Sequence, residues 1–371
     1  MFRGHRTAGA LLRATRNPAG FDYLRLVLSF GVLAFHCILV TQGDAGEKVV
    51  WASYWRALPA AILPMFFALS GFLVAGSVLR SSMPEFVAAR VVRIVPALAT
   101  EVALSALLLG LCVTTLPVSE YLRSADLWSY FLNVFGWIHF KLPGVFTGNP
   151  EPKYVNLSLW TIPYELECYL ALIGATVFGL IRRSRLFVAA LVGLHVAVFL
   201  WDGLNLKKGL TGLWGALTNG VIGVDESMPP RVLVLAFLSG VALHIWRDRV
   251  VLSAGRMAVA TFLTAVLLTF PAGAYFVALP AAYLTICLGL MNPPRHWIVK
   301  SGDYSYGVYL YAFPIQQTVV YLGPSLGPVE VFLIAAPLCF LAAAFSWHVI
   351  EKPCLALRHA LIGKPRVAAA A

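Results

Sequence analysis

The chain has 371 residues, 60% of them hydrophobic and only 12% charged, and its mean hydropathy is +0.79. This composition excludes a soluble globular domain and is typical of a protein that crosses a membrane several times. The net charge of +11 would suggest a nucleic-acid partner in a soluble chain, but in a membrane protein its distribution between the two sides must be considered first.

Ten apolar runs follow one another along the chain, each close to the length that crosses a bilayer as a helix. They lie at 22–42, 58–79, 94–116, 157–181, 186–201, 232–246, 254–270, 272–291, 302–322 and 329–350. We predict an all-α fold, a polytopic membrane helix bundle with about ten transmembrane helices over residues 22–353. Residues 1–21 are predicted to form a basic, uncleaved and partly disordered N-terminal arm, and residues 354–371 a C-terminal tail.

The basic residues are unevenly divided between the loops on the two sides. With the N-terminus inside, 19 of the 28 Lys and Arg fall on the inner side and eight on the outer side, while Arg25 lies within the first span. The positive-inside rule therefore places both termini in the cytoplasm. This topology explains the basic excess, so no nucleic-acid partner is expected.

The six cysteines lack the spacing of metal ligands, and neither a metal site nor a resident cofactor is expected.

The first span carries two ionisable side chains, Arg25 near its start and His36 deep within it. Such groups are costly in a bilayer and are therefore interpreted as functional. Eleven residues separate them, which is about three helical turns and puts both on one helix face. Imidazole exchanges a proton near neutral pH, so His36 is a candidate general base for a hydroxyl.

The inner end of the third predicted span carries Arg90 and Arg93, followed by Pro96. A spacing of three residues puts both guanidinium groups on one side of a helix, and such groups suit phosphate oxygens. They are candidate ligands for the anionic end of a phosphorylated cytosolic cosubstrate such as an acyl-CoA, or they simply anchor the span to lipid headgroups. Further along the same span, Glu101 is a candidate ionic partner for Arg25 or Arg93.

The start of the fourth predicted span contains Trp160 and Glu165. Glu165 lies about eight residues from the outer boundary and His36 about six, so at about 1.5 Å per residue the two reach similar depths. A carboxylate bonded to an imidazole fixes its tautomer and stabilises the imidazolium, which makes the two side chains a candidate catalytic dyad. The alternative is that Glu165 only neutralises a buried cation.

Two other spans contain candidate ligand-binding residues. In the second span, Ser70 precedes a glycine, and small residues at this position more often permit close helix packing than catalysis. The ninth span offers a row of hydroxyls at Tyr304, Tyr306 and Tyr309. This row suits either a sugar or acyl channel or an interfacial aromatic belt.

Two outer segments are long: 117–156 is rich in aromatic residues and prolines, and 202–231 is rich in glycine. Long loops without regular structure are often functional. We interpret them as either ordinary interfacial connections or segments that recognise an acceptor. The chemistry is expected within the helix bundle or at its surfaces.

Together these segments resemble the acyltransferase 3 family of integral membrane acyltransferases, whose bacterial members modify surface and secreted carbohydrates. The matching motifs run in family order along nearly the whole chain. They are Arg25 and His36; Ser70, Gly71 and Phe72; Arg90, Arg93 and Pro96; Trp160, Glu165 and Tyr169; Ser305, Tyr306, Tyr309 and Leu310; and Glu351, Lys352 and Pro353. Many members have a His where this chain has Ala312, so no catalytic role is carried over to that position.

The resemblance implies an enzyme of the bacterial inner membrane. It would move an acyl group, often acetyl, from cytosolic acyl-CoA to a hydroxyl of a carbohydrate or glycolipid, as in O-acetylation of a cell-envelope polysaccharide. His36 would act as general base with Glu165 orienting it, and Arg25 would stabilise the pantetheine, the thioester or a developing negative charge. The remaining implied contacts are acyl-CoA binding by Arg90, Arg93, Tyr306 and Tyr309, and acceptor binding by Trp160, Ser70 and Tyr304.

Two further expectations follow from this resemblance. Because His36 is predicted nearer the outer face and the donor is cytosolic, the assignment requires a cavity that admits the pantetheine arm from inside and the acceptor from outside. Some family members carry a C-terminal esterase-like domain, and this chain is expected to act as the membrane unit alone or with a separate partner.

A transporter or flippase for a lipid-linked sugar or small metabolite is the competing interpretation, with His36, Glu165 and Glu101 as a proton relay. Transporters usually have two related halves, and neither the Arg-to-His nor the Trp-to-Glu pattern recurs in this sequence, which favours the enzyme. A non-catalytic component of an envelope complex is a third interpretation, but it leaves the buried charges unexplained.

Overall fold

A computed structural model describes residues 6–15, 17–204 and 228–362, with side chains described as far as residue 357. Within these ranges the chain is almost entirely helical, as the apolar runs predict. The α-helices are α1 (Ala8–Ala14), α2 (Ala19–Ala52), α3 (Ala57–Val78), α4 (Met83–Ala103), α5 (Gly110–Val113), α6 (Val118–Arg123), α7 (Ala125–Tyr130), α8 (Ile162–Val177), α9 (Ser184–Val198), α10 (Pro230–Ile245), α11 (Ala254–Leu268), α12 (Ala278–Gly289), α13 (Trp297–Ser301), α14 (Ser305–Leu322), α15 (Pro328–Phe345) and α16 (Lys352–Ile362).

Short segments of other regular structure connect or extend these helices. Those of 3-10 type are Tyr54–Arg56, Phe131–Phe135, Leu157–Thr161, Leu180–Arg182 and Pro271–Phe276, and those of π type are Leu104–Leu109, Phe199–Gly203 and Ser346–Glu351. Within the described ranges, two strands of two residues each, β1 (Arg6–Thr7) and β2 (Val251–Leu252), are the exception to the all-α prediction.

Five helical stretches among the described residues are long and apolar enough to cross a membrane. They are Ala19–Ala52, Tyr54–Val78, Met83–Val113, Ser184–Gly203 and Pro328–Leu357, and three shorter apolar helices are Pro230–Ile245, Ala254–Leu268 and Ala278–Gly289. Two further predicted spans, the fourth and the ninth, contain α8 and α14. These helices indicate a multi-pass membrane protein, while the count of ten spans and the cytoplasmic termini stay predictions.

The chain divides into two compact units. The first comprises Met1–Leu28, Lys48–Gly76 and Tyr164–Val299, and the second comprises Ser29–Glu47, Ser77–Pro163 and Lys300–Ala371. Helices α2, α3, α8 and α13 therefore each contribute residues to both units. The predicted domain boundaries at residues 22 and 353 stay predictions.

In the first unit, part of the N-terminal arm is folded against the loop that follows α10. Strand β1 pairs antiparallel with β2, and Ala8 N at the start of α1 donates to Val250 O at 2.9 Å. The Arg13 guanidinium lies 2.6 Å from Asp248 Oδ1, and its hydrogen bond holds the pKa of that carboxyl below its usual range. Backbone pairing and this ion pair thus give the arm more defined structure at 6–15 than the sequence predicts.

The first unit also contains a close crossing of α3 and α10. A Cβ atom placed on Gly71 would lie 2.0 Å from Phe237 O, and one placed on Gly240 would lie 2.1 Å from Ala68 O. No side chain fits at either position unless a helix backbone moves, so both glycines let the two helices approach closely. The packing interpretation of the small residues in the second span agrees with this crossing.

Gly71→Ala is expected to lower the stability of the solubilised protein, because the new methyl group must displace the backbone of α10. Overpacking of this kind costs about 1–3 kcal/mol. Gly193→Ala in α9 is the matched control, because a Cβ atom there meets no atom within 4 Å. Thermal unfolding in one detergent measures both variants, and equal Tm values for the native and Gly71→Ala proteins would contradict the close crossing.

In the second unit, α2 carries a local break where its apolar run ends. Gly43 has φ 60° and ψ −158°, a conformation that glycine adopts without strain. A Cβ atom there would lie 2.7 Å from Pro150 O. The predicted end of the first span at residue 42 coincides with this break, although the helix resumes and continues to Ala52.

The first long outer segment is anchored to α14 of the same unit. Gln317 Nε2 donates to Glu151 O and to Tyr154 O, both at 2.7 Å, and Asn149 Nδ2 donates to Gln317 Oε1 at 2.7 Å. The first part of this segment is helical (α6 and α7), and the buried glutamine satisfies backbone groups of its second part, which has no helix or strand. The second long outer segment, 202–231, lies mostly outside the described residues.

Candidate active site

His36 lies on α2 in the second unit and is buried, with 5% of its surface exposed. Its imidazole packs edge-on against Phe313 of α14, with ring centroids 5.1 Å apart. The Nδ1 atom is buried and makes no hydrogen bond with the described residues. A buried imidazole of this kind retains hydrogen-bonding capacity that a substrate hydroxyl can use.

Gln316, on the turn of α14 that follows Phe313, fixes the backbone beside His36. Its Nε2 atom donates to Leu33 O at 2.7 Å and lies 2.8 Å from Cys37 Sγ. The side chain is fully buried, and its Oε1 atom makes no hydrogen bond within the described part of the chain. No motif predicts this residue, and a glutamine within an apolar span is the signal that could have found it.

Arg93 on α4 is surrounded by carboxylates and aromatic rings. Its Nη2 donates to Asp303 Oδ2 and its Nη1 to Glu351 Oε2, both at 2.8 Å. The guanidinium carbon also lies 5.6 Å from the ring centre of Tyr306 and 5.7 Å from that of Trp347. The negative charge of two carboxylates exceeds the positive charge of one guanidinium. These ion pairs fix α4, and they leave no excess positive charge to attract a phosphate.

Arg90, one turn earlier on α4, has different surroundings. Its guanidinium carbon lies 6.0 Å from the ring centre of Phe86, and the side chain is half-buried. Among the described residues it makes no ion pair with a carboxylate. The sequence predicts the same role for both arginines of the motif, but in the structure they have different partners.

The tyrosines at the start of α14 make hydrogen bonds within the second unit. Tyr304 OH donates to Ser301 Oγ at 2.9 Å and lies 3.1 Å from His348 Nε2. Tyr306 OH donates to Ile94 O at 3.2 Å. A ligand would therefore have to replace existing hydrogen bonds to reach either hydroxyl, and their predicted binding roles stay predictions.

The turn that precedes α8, Leu157–Thr161, carries Trp160, which is half-buried. Asn156 caps this turn, because its Oδ1 accepts from Ser158 N at 3.0 Å. Tyr309 of α14 holds the same turn by donating to Ser158 O, also at 3.0 Å. The structure thus brings two predicted site residues, Trp160 and Tyr309, to one turn.

Arg25 lies on α2 in the first unit and is paired with Asp22, one turn earlier on the same helix. Its Nη2 lies 2.6 Å from Asp22 Oδ1, while the other oxygen of Asp22 lies 2.8 Å from Arg295 Nη1. The two arginines therefore share one carboxylate. The predicted role of Arg25 in stabilising a developing negative charge stays a prediction.

Glu165 and Ser70 are the other predicted site residues of the first unit. Glu165 Oε1 accepts from Tyr169 OH at 2.5 Å, and both residues belong to the Trp-to-Glu motif. Ser70 is half-buried beside the crossing of α3 and α10. Because His36 belongs to the second unit, its dyad with Glu165 stays a prediction.

Glu101 on α4 is fully buried, and its described partners are neutral. Its Oε1 accepts from Ser105 Oγ at 2.7 Å and from Asn156 Nδ2 at 2.9 Å, while Oε2 makes no hydrogen bond with a described residue. The expected ion pair with Arg93 is therefore wrong. Arg93 lies about two helical turns away on the same helix and is held by other carboxylates.

A comparison with known proteins identifies the family. A family model described as an acyltransferase domain, that of the acyltransferase 3 family, matches residues 19–350. The chain belongs to the acyltransferase 3 family. It is 26% identical over 349 residues to an O-acetyl transferase of Shigella phage Sf6, covering 90% of this chain and 94% of the relative. It is also 26% identical over 378 residues to Nodulation protein 10 of Rhizobium leguminosarum bv. viciae, covering 93% of this chain and 95% of that protein. No solved structure matches the chain.

Membership of the acyltransferase 3 family establishes that the protein is an acyltransferase. The enzyme interpretation is thereby preferred to the transporter.

The motifs from Arg25 to Leu310 lie within the matched residues, and the closing motif begins at Glu351, one position beyond them. Glu351 lies 2.8 Å from Arg93, which is inside the matched residues. The described residues contain no cluster of three or more His, Cys, Asp or Glu that could hold a metal ion.

Proposed function

We propose that this acyltransferase moves an acyl group, most simply acetyl, from cytosolic acyl-CoA to a hydroxyl of a carbohydrate or glycolipid. The name of the phage relative, an O-acetyl transferase, supports oxygen as the acceptor atom and acetyl as the group. The apolar helices favour an acceptor that is itself at a membrane, such as a cell-envelope carbohydrate at the bacterial inner membrane.

The surroundings of His36 carry this proposal. The imidazole is buried against Phe313, and its Nδ1 atom is not committed to a hydrogen bond with the described residues. Gln316 holds α2 on either side of it, through the backbone carbonyl of Leu33 and the side-chain sulfur of Cys37. A fixed imidazole with unused hydrogen-bonding capacity suits a general base better than a packing residue.

The proposed transfer conserves protons and electrons without a further reactant. The His36 imidazole removes the proton of the acceptor hydroxyl while that oxygen attacks the carbonyl carbon of the thioester, forming the new C–O bond. The C–S bond then breaks, and the leaving CoA sulfur takes the proton back from the imidazolium. The products are an O-acyl ester and free CoA thiol, and His36 returns to its starting state.

Arg90 is proposed as the arginine that holds the anionic end of the donor. Arg93 is already bound by two carboxylates, whereas Arg90 makes no ion pair with the described residues. A phosphate can therefore bind Arg90 without breaking an ion pair that the protein already makes.

Arg90→Ala is expected to raise the KM for acetyl-CoA about tenfold or more and to leave the KM for the acceptor unchanged, because a charge-assisted hydrogen bond contributes about 1.5–3 kcal/mol. Arg80→Ala is the matched control, since Arg80 is an exposed arginine just before α4, and it should change neither constant. Steady-state kinetics and equilibrium binding of acetyl-CoA measure the effect. A rise in the acceptor KM alone would assign Arg90 to the acceptor site.

Product analysis tests the proposed reaction itself. The protein in lipid nanodiscs is incubated with acetyl-CoA labelled in its acetyl group and with a panel of carbohydrates and glycolipids. The expected product is a sugar that carries the label in a base-labile ester, with free CoA released in equal amount. Vesicles that accumulate unmodified sugar, with no ester formed on any acceptor, would support transport instead.

A further inference from the structure

Glu101 is a fully buried carboxyl group in an apolar helix of the second unit. It lies in the last turn of α4, immediately before the π-helical segment Leu104–Leu109. Segments of π-helix frequently mark functional sites, and carboxyl groups within a membrane span are costly. Together these features indicate a role that none of the matched motifs assigns.

Glu101 holds the side chain of Asn156. Its Oε1 accepts from Asn156 Nδ2 at 2.9 Å and from Ser105 Oγ at 2.7 Å. The same Asn156 nitrogen also donates to Leu310 O of α14 at 2.9 Å, and Asn156 Oδ1 accepts from Ser158 N at 3.0 Å. The amide of Asn156 is thus used at both ends, and the residue is fully buried.

Asn156 in turn determines where the Leu157–Thr161 turn begins, because it is the N-cap of that turn. Tyr309 holds the other side of the turn, with its hydroxyl 3.0 Å from Ser158 O and 2.7 Å from Thr161 Oγ1. Trp160 lies within this turn, so its position depends on Asn156 and Tyr309 together. A displacement of Asn156 would move Trp160 relative to α14.

We infer that Glu101 is a positioning residue for acyl transfer, which acts through Asn156 to hold the turn that carries Trp160. The inference rests on the proposed function and on the acceptor contact that the family resemblance implies for Trp160. The role requires an acceptor oxygen at the position of Oε1 and a side chain of this length. Glutamine satisfies both requirements, whereas leucine has nearly the same size and offers no acceptor.

Two substitutions of Glu101 test this role, with the exposed Glu330 of α15 in the same unit as control. Glu101→Gln is expected to retain most of the native activity. Glu101→Leu is expected to lower kcat/KM for the acceptor about a hundredfold, since a misplacement of about 1 Å can cost that much. The KM for acetyl-CoA should stay unchanged in both, and Glu330→Leu should behave as the native protein.

Hydrogen exchange provides a readout that does not depend on the reaction. The backbone amides of residues 157–161 should exchange faster in Glu101→Leu than in the native protein and at the native rate in Glu101→Gln. If Glu101→Leu cannot be obtained as a monodisperse protein, Asn156→Ser removes the same hydrogen bond to Glu101 with a smaller change. It should give the same faster exchange.

Unchanged exchange at residues 157–161 in a folded Glu101→Leu or Asn156→Ser protein would overturn the positioning role, whatever the activity. An inactive Glu101→Gln protein with native exchange would also overturn it, because the carboxyl group itself would then take part in the chemistry. A native protein that transfers no acyl group to any carbohydrate would overturn the proposed function, while the exchange comparison would still decide the role of Glu101.

Discussion

Replacement of His36 by alanine is expected to abolish measurable acyl transfer while the protein stays inserted and monodisperse. A positioned general base accelerates proton transfer by about 100-fold to 10,000-fold, and the proposed reaction cannot proceed at neutral pH without removal of the hydroxyl proton. Saturable binding of acetyl-CoA should be retained, because the anionic end of the donor is assigned to Arg90. The variant therefore separates the chemical step from donor binding.

His195 offers the matched control for this substitution. It is a half-buried histidine on α9, and its Nδ1 lies 3.1 Å from Leu191 O of its own helix. His195→Ala should transfer acetyl groups at close to the native rate, measured as label incorporated from acetyl-CoA and as CoA thiol released. Native activity in His36→Ala would remove His36 from the mechanism.

Replacement of Arg93 by alanine is expected to have the largest effect on stability. It would leave Glu351, which is 1% exposed, and Asp303 without the cation that both now bind. Removing one partner of a buried ion pair costs about 3–5 kcal/mol, and the lower end applies here because the Arg93 side chain is 21% exposed. The apparent Tm and the monodisperse fraction in detergent should both fall.

Two further variants define the cause of this loss. Glu351→Gln combined with Arg93→Ala should recover part of the stability, since it removes one of the two uncompensated carboxylates. Arg123→Ala removes an exposed arginine from α6 and should change the Tm little. If Arg93→Ala had the native Tm and a raised KM for acetyl-CoA, Arg93 would be the donor ligand that its motif predicts, and the structural role would be wrong.

The helices could be predicted because a bilayer requires apolar runs of a set length. Helices α10 and α11 closely follow the predicted spans 232–246 and 254–270. The break in α2 at Gly43 coincides with the predicted end of the first span, although the helix resumes after it and continues to Ala52. That Arg25 and His36 share a helix could also be predicted, because their spacing can be interpreted from the helical period alone.

The partners of the charged residues could not be predicted, because they are far away in the sequence. Asp303 and Glu351 lie 210 and 258 positions from Arg93, and Asn156 lies 55 positions from Glu101. Periodicity along one helix says which face a side chain occupies but not which distant group meets it. For this reason the sequence predicted Glu101 as a partner for Arg93, whereas in the structure Arg93 binds Asp303 and Glu351.

The most direct test of the central claim is the binding and turnover of radiolabelled acetyl-CoA by the purified protein in lipid nanodiscs, with the native chain and His36→Ala measured side by side. We predict saturable binding to both proteins, and transfer of the label with release of CoA thiol by the native protein alone. Equal turnover by both proteins, or no saturable binding of acetyl-CoA to the native protein, would contradict an acyl-CoA-dependent reaction that uses His36 as its base.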